Sequence, residues 1–89
     1  MDIKDNFYVQ TYLQGQNRIV FNKLIELNYS NFKKYDGTGY NSNYMYGIDN
    51  GNIDYAFHAR VKNSNIISFE EFMNMFDNKI SKELDIILI

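Results

Sequence analysis

The sequence predicts a small α+β domain, with a three- to four-stranded antiparallel sheet built on a central β-hairpin and covered by two helices. Three observations carry that expectation. Residues 44–61 alternate about an Asn50-Gly51 dipeptide, residues 16–27 place apolar side chains at helical spacing, and Ser68 with Glu71 marks a second helix start over 69–76. Taken together, strands of period two and helices of period 3.6 share one chain, and a two-layer arrangement buries both kinds of apolar stripe.

Asn6 to Tyr12 reads as a short strand, with Phe7, Val9 and Thr11 on one side and Tyr8, Gln10 and Tyr12 on the other. Gln14-Gly15 interrupts it. From Gln16 to Leu27 the stripe Val20, Leu24 and Leu27, widened by Phe21 and Ile25, predicts a helix, and Asn28 fits its left-handed stop. Phe32 to Tyr35 reads as a short strand before a loop around Asp36-Gly37-Thr38-Gly39.

The hairpin follows, and its register is set by the turn. A two-residue type I′ turn needs positive φ at both central residues, which Asn-Gly supplies. Folding there sets Ile48 opposite Ile53, Tyr46 opposite Tyr55 and Tyr44 opposite Phe57 on one face, extended by Ala59 and Val61. The other face carries Met45, Asp49, Asn52, Asp54, His58 and Arg60 and is expected to be polar and solvated. Slipping by one residue would turn the apolar set to the wrong side. Ile66-Ile67 adds a brief strand, and Ser68 and Glu71 form a capping box for a helix burying Phe69, Phe72, Met73 and Phe76. In the tail Asp77 to Ile89, Ile80, Leu84 and Ile87 continue a helical stripe, yet Glu83 to Ile89 fits a terminal strand equally well. No repeat or linker divides residues 1–89, which read as a single domain.

Composition narrows the function classes. With 89 residues, eight Tyr and seven Phe, the chain can bury a single core. It has no cysteine, so disulfides and thiolate metal sites are excluded. A net charge of −2 with interspersed signs argues against direct nucleic-acid binding, which draws on a basic patch. The start Met1-Asp2-Ile3-Lys4-Asp5 lacks a signal-peptide pattern and no apolar run reaches membrane-spanning length, so a soluble cytoplasmic protein is expected, with no membrane partner.

The motifs that could carry chemistry do not hold up. Ile67 to Phe72 resembles the end of an EF-hand loop with Glu71 as bidentate ligand, but Arg60 and Lys62 then stand where carboxylates belong. Gly37-Thr38-Gly39 opens like a phosphate loop, but Ser42 replaces the third glycine and a strand follows instead of a helix. His58, the only histidine, has no cysteine or serine beside it in sequence, and Glu70-Glu71 sit where they favour a helix dipole. No catalytic residue, metal ligand or cofactor site is expected, and the chain reads as a non-enzyme.

The aromatic residues point to binding. Tyr29, Tyr35, Tyr40 and Tyr44 punctuate a segment rich in Asn, Ser and Gly, a mixture of rigid anchors and adaptable polar groups that suits recognition surfaces. Together with the polar hairpin face, this nominates Tyr35, Asp36, Tyr40, Asn43, Asp54, His58 and Arg60 as partner-binding residues.

Asn, Lys, Ile, Tyr, Phe and Met make up more than half the chain, a bias toward AT-rich codons and so toward a low-GC bacterium or its mobile elements. The helix end Leu27-Asn28-Tyr29, the hairpin from Tyr46 to Gly51 with its returning strand, and Ile66 to Phe72 resemble small accessory proteins of phages and prophages of such bacteria. The resemblance covers residues 16–76. It implies a binding protein that inhibits a host or defence component, CRISPR effectors among them. A binder that sequesters a nucleotide signal between subunits is the alternative expectation. An uncovered Ile86-Ile87-Leu88-Ile89 tail would make the chain a homodimer.

Overall fold

The computed structural model describes residues 5–38, 43–61 and 65–75. Strand β1 (Phe7–Gln10) is followed by helix α1 (Gln14–Glu26), hairpin strands β2 (Tyr44–Asp49) and β3 (Asn52–Phe57), a 3₁₀ turn His58–Val61, strand β4 (Ile66–Ser68) and helix α2, residues 69–75. The four strands lie in the order β3-β2-β1-β4. The α+β expectation of a hairpin-based sheet with two helices is met. Phe76, Tyr40 and the tail 77–89 with its Ile86–Ile89 run lie outside the described residues.

The hairpin has the register its turn dictates. Ile48 faces Ile53, Tyr46 faces Tyr55 and Tyr44 faces Phe57, while Asn50 and Gly51 have φ of 50° and 82°. The sheet, however, is mixed where a wholly antiparallel one was expected. β1 pairs with β2 antiparallel but with β4 in parallel, Tyr8 beside Ile66 and Gln10 beside Ser68. β3 and β1 point the same way, so for β4 to do likewise the chain must travel back along the sheet. The 3₁₀ turn begins that return and packs Val61 against Tyr8, Met45 and Ala56.

The packing of Val61 overturns the expected polar face. Met45 and Ala56 are each 1% exposed, and with Tyr8 and Val61 they form a second, smaller core. The strand also stops at Phe57, so Val61 is buried on the opposite side from Ile48 and Ile53, and Ala59 is exposed.

The main core lies between the sheet and both helices, where Phe7, Val9, Tyr46, Ile48 and Ile53 meet Val20, Phe21, Leu24 and Phe72. α1 starts two residues before the expected position, because Gln16 Oε1 accepts the Tyr12 and Leu13 N–H groups at 2.9 and 3.3 Å. Its buried stripe is Asn17, Val20, Phe21 and Leu24, whereas Ile25 and Leu27 are exposed, contrary to expectation. Buried Asn17 is tolerated because the Thr11 hydroxyl donates to its Oδ1 at 2.5 Å.

The helix ends in a Schellman motif. Asn28 has φ 67°, its N–H donates to Ile25 O, and Tyr29 N–H reaches back to Leu24 O. Beyond it, residues 32–35 form a turn where a strand was expected. Asn31 clamps both backbone groups of Tyr35, and Lys34 takes φ 59°. At the other end of the fold, Ser68 Oγ accepts the Glu71 N–H at 3.0 Å, the capping bond the sequence predicted.

Candidate functional site

Asp54 organises the most unusual polar cluster of the described residues. It lies on β3 opposite Gly47, on the face turned away from the two helices. Gly47 in turn pairs with Tyr8 of β1. A Cβ on Gly47 would collide with the Phe7 carbonyl oxygen and the Tyr8 ring, and would stand 2.7 Å from Tyr8 Cα. The missing side chain therefore lets the Tyr8 ring lie across β2, and its hydroxyl donates to Asp54 Oδ2 at 2.7 Å.

Three further groups converge on the same carboxylate. Lys33 Nζ donates to Oδ1 at 2.7 Å and the Tyr35 hydroxyl approaches it at 3.4 Å. Arg60 Nη2 donates to Oδ2 at 2.5 Å. Asp54 itself is 2% exposed, whereas the side chains of Lys33 and Arg60 are 43% and 57% exposed. The expectation of a solvated Asp54 is thereby corrected. A carboxylate is buried here because four donors satisfy its lone pairs.

The electrostatics follow from that geometry. Burial would raise the Asp54 pKa, but hydrogen bonds from Lys33, Tyr8 and Arg60 outweigh it and bring the group down to about 2. Burial and then the Asp54 hydrogen bond push the Tyr8 hydroxyl well above its ordinary range. The hydrogen bond to Asp54 likewise raises Lys33 and Arg60. Four donors engage the carboxylate oxygens, and the Tyr8 ring that supplies one of them is itself buried. The cluster's physical role is to fix side chains.

What it fixes is an exposed edge. Phe32 is 63% exposed, and the Lys33 ammonium pinned to Asp54 sits 5.9 Å from its ring centroid. A concavity of about 170 Å³ opens beside them, lined by Phe32, Lys33, Asp49, Asn50, Asn52 and Asp54 among others. Ser30 ties this loop to the sheet, its carbonyl accepting the Ile53 N–H at 2.8 Å. A second concavity of about 290 Å³ lies between Gln10, Tyr12, Gln16 and the Ser68–Glu70 end of α2.

Of the residues nominated from sequence, Tyr35, Asp54 and Arg60 come together in the cluster. Tyr35 also packs edge-on against Tyr46 and Tyr55, so its ring serves the core. Asp36 is exposed and turned to Thr38, whose N–H and hydroxyl it accepts at 3.0 and 2.5 Å, and these bonds lower its pKa. Asn43 O accepts the His58 N–H at 2.6 Å, placing those two side by side, and His58 meets Gln10 through their Nε2 atoms at 3.3 Å. Tyr40 lies outside the described residues.

Tyr8, Phe32, Lys33 and Gly47 were not nominated. The signal for Gly47 was present, since a glycine inside an apolar strand marks a close approach. Phe32 was masked by its reading as a strand residue. Among the described residues, no three His, Asp or Glu side chains are grouped to hold a metal, and no helix is long and apolar enough to cross a membrane. Comparison with protein-family models, curated proteins and solved structures finds no match for this chain.

Proposed function

We propose that this chain is a non-enzymatic protein-binding module, encoded by a phage or mobile element and acting in the host cytoplasm as an inhibitor of a host or defence protein of the CRISPR type. The observation that carries the binding role is the exposed Phe32 ring held beside a Lys33 ammonium that the buried Asp54 fixes. An aromatic anchor next to a preorganised cation loses little side-chain freedom on binding, which is what interaction hot spots require. The concavity beside Phe32, about 170 Å³, is smaller than small-molecule sites of roughly 300–1,000 Å³ and suits a side chain of a partner, while the second, about 290 Å³, lies at the lower edge of that range. The phage setting rests on composition and on the resemblance of residues 16–76.

Expression in a low-GC bacterium carrying an active CRISPR system tests the reading. A targeted phage should plate more efficiently, and the tagged chain should co-purify with one effector protein in fixed stoichiometry. Unchanged plating together with no stoichiometric complex overturns it. Thermal unfolding in the presence of nucleotides separates the alternative, because a ligand at a hundred times its Kd stabilises the folded state by about 2.7 kcal/mol.

A further inference from the structure

The Asn50-Gly51 tip combines three features that bear on covalent chemistry. Of thirteen asparagines in the chain, Asn50 alone is followed by glycine, so every other asparagine has a side chain next door to obstruct attack by the following nitrogen. The Asn50 side-chain amide is exposed and makes no hydrogen bond among the described residues. A Cβ built on Gly51 would meet nothing within 4 Å, so the tip is open to solvent.

The same tip is held by the segment that precedes β1. Gly51 N–H donates to Asp5 O at 3.0 Å, and Asn50 N–H donates to Asn6 Oδ1 at 3.0 Å. The first of these bonds engages the proton that must leave before the Gly51 nitrogen can act as a nucleophile. The second holds the neighbouring amide in the turn conformation.

We propose that Asn50-Gly51 is a site of spontaneous deamidation and that the Asp5–Asn6 segment is the lock that sets its rate. Once a local opening frees the tip, the Gly51 nitrogen gives its proton to water or hydroxide and attacks Asn50 Cγ. The new N–Cγ bond closes a five-membered succinimide while the Cγ–Nδ2 bond breaks and ammonia leaves. Water then opens the ring at either carbonyl, giving an aspartate or a β-linked isoaspartate. Ammonia is lost and water gained, so the chain becomes one mass unit heavier and one charge more negative, with no oxidant or cofactor involved.

The products matter for the fold and for its surface. The β-linked product inserts a methylene into a turn whose geometry depends on positive φ at both residues. Either product also places a carboxylate beside Asp49 in the concavity that Phe32 and Lys33 line. The chemistry does not depend on any partner of this chain.

Incubating the folded chain in mildly alkaline buffer, followed by intact-mass measurement and peptide mapping, tests the proposal. The wild type should gain one mass unit at Asn50 and not at its other asparagines, and Asn50→Gln should abolish the gain. Asn6→Ala should convert about fivefold faster, the ratio given by losing a hydrogen bond of about 1 kcal/mol. In the wild type, deuterium exchange at the Gly51 amide and conversion at Asn50 should rise together in sub-denaturing urea, a readout that does not require Asn6→Ala to fold. No gain at Asn50 in the folded protein, where the urea-unfolded chain does convert, overturns the site. Equal rates in wild type and Asn6→Ala, or exchange and conversion that do not rise together, overturn the lock.

Discussion

Asp54 shows how one buried charge can be kept by distributing its cost over four donors from distant parts of the chain. Tyr8 comes from β1, Lys33 and Tyr35 from the loop after α1, and Arg60 from the 3₁₀ turn. Its folded pKa of about 2 lies below the unfolded value of about 3.9, so the sign of the linkage is fixed. The carboxylate stabilises the fold fully above about pH 4, and that contribution disappears as pH falls toward 2. Asp54→Asn should therefore lose about 2 kcal/mol at neutral pH, and the gap from wild type should close on acidification. Urea unfolding of both proteins across that range measures it; a gap that stays constant with pH would show that ionisation is not the source. None of this was legible in the sequence. Periodicity marks where apolar side chains are buried, whereas a buried carboxylate is defined by partners at positions 8, 33, 35 and 60, which no local pattern links.

At the scale of elements, three pieces of local chemistry were legible. The hairpin register followed from Asn50-Gly51, the end of α1 from Asn28, and the start of α2 from Ser68 and Glu71. The parallel pairing of β4 was not legible, because it is a pairing with the sequence-distant β1 and not the product of any pattern within Ile66–Ser68. The turn at 32–35 was misread as a strand for a related reason. Its conformation is set by Asn31 bonding Tyr35 and by the bridge from Ser30 to Asn52, both of which outweigh the β propensity of Phe32 and Tyr35. The α1 terminus offers a quantitative check. Asn28 is exposed and its φ of 67° penalises a Cβ that has no compensating polar group. Asn28→Ala should cost about 1 kcal/mol, and so lower Tm by roughly 5 °C, while Asn28→Gly should leave Tm unchanged or slightly raised. Differential scanning calorimetry distinguishes these, and equal losses in both variants would assign the effect to the Asn28 side chain and not to its backbone.

At the scale of the whole molecule, the two cores decide which parts of the described surface serve folding and which lie outside it. Helices α1 and α2 close one face of the sheet, and the 3₁₀ turn His58–Val61 covers part of the other through Val61. The proposed recognition would then fall at the periphery, where Phe32 is 63% exposed on a loop tied to β3 and Tyr12 is 65% exposed before α1. Phe32 has the stronger physical claim, since Lys33 and Asp54 hold its surroundings rigid. Because its ring contributes little to either core, Phe32→Ala should change unfolding free energy by no more than about 0.5 kcal/mol. The same variant should weaken a partner complex by about 2 kcal/mol, roughly thirtyfold, mainly through faster dissociation. Salt should matter little, because the Lys33 and Arg60 charges are already offset in part by Asp54 and the chain as a whole carries only −2. Surface plasmon resonance against the co-purified effector, paired with urea unfolding of the same samples, reads both quantities. Retained affinity in Phe32→Ala with loss in Tyr12→Ala would move the binding surface to the concavity between Gln10, Gln16 and the start of α2.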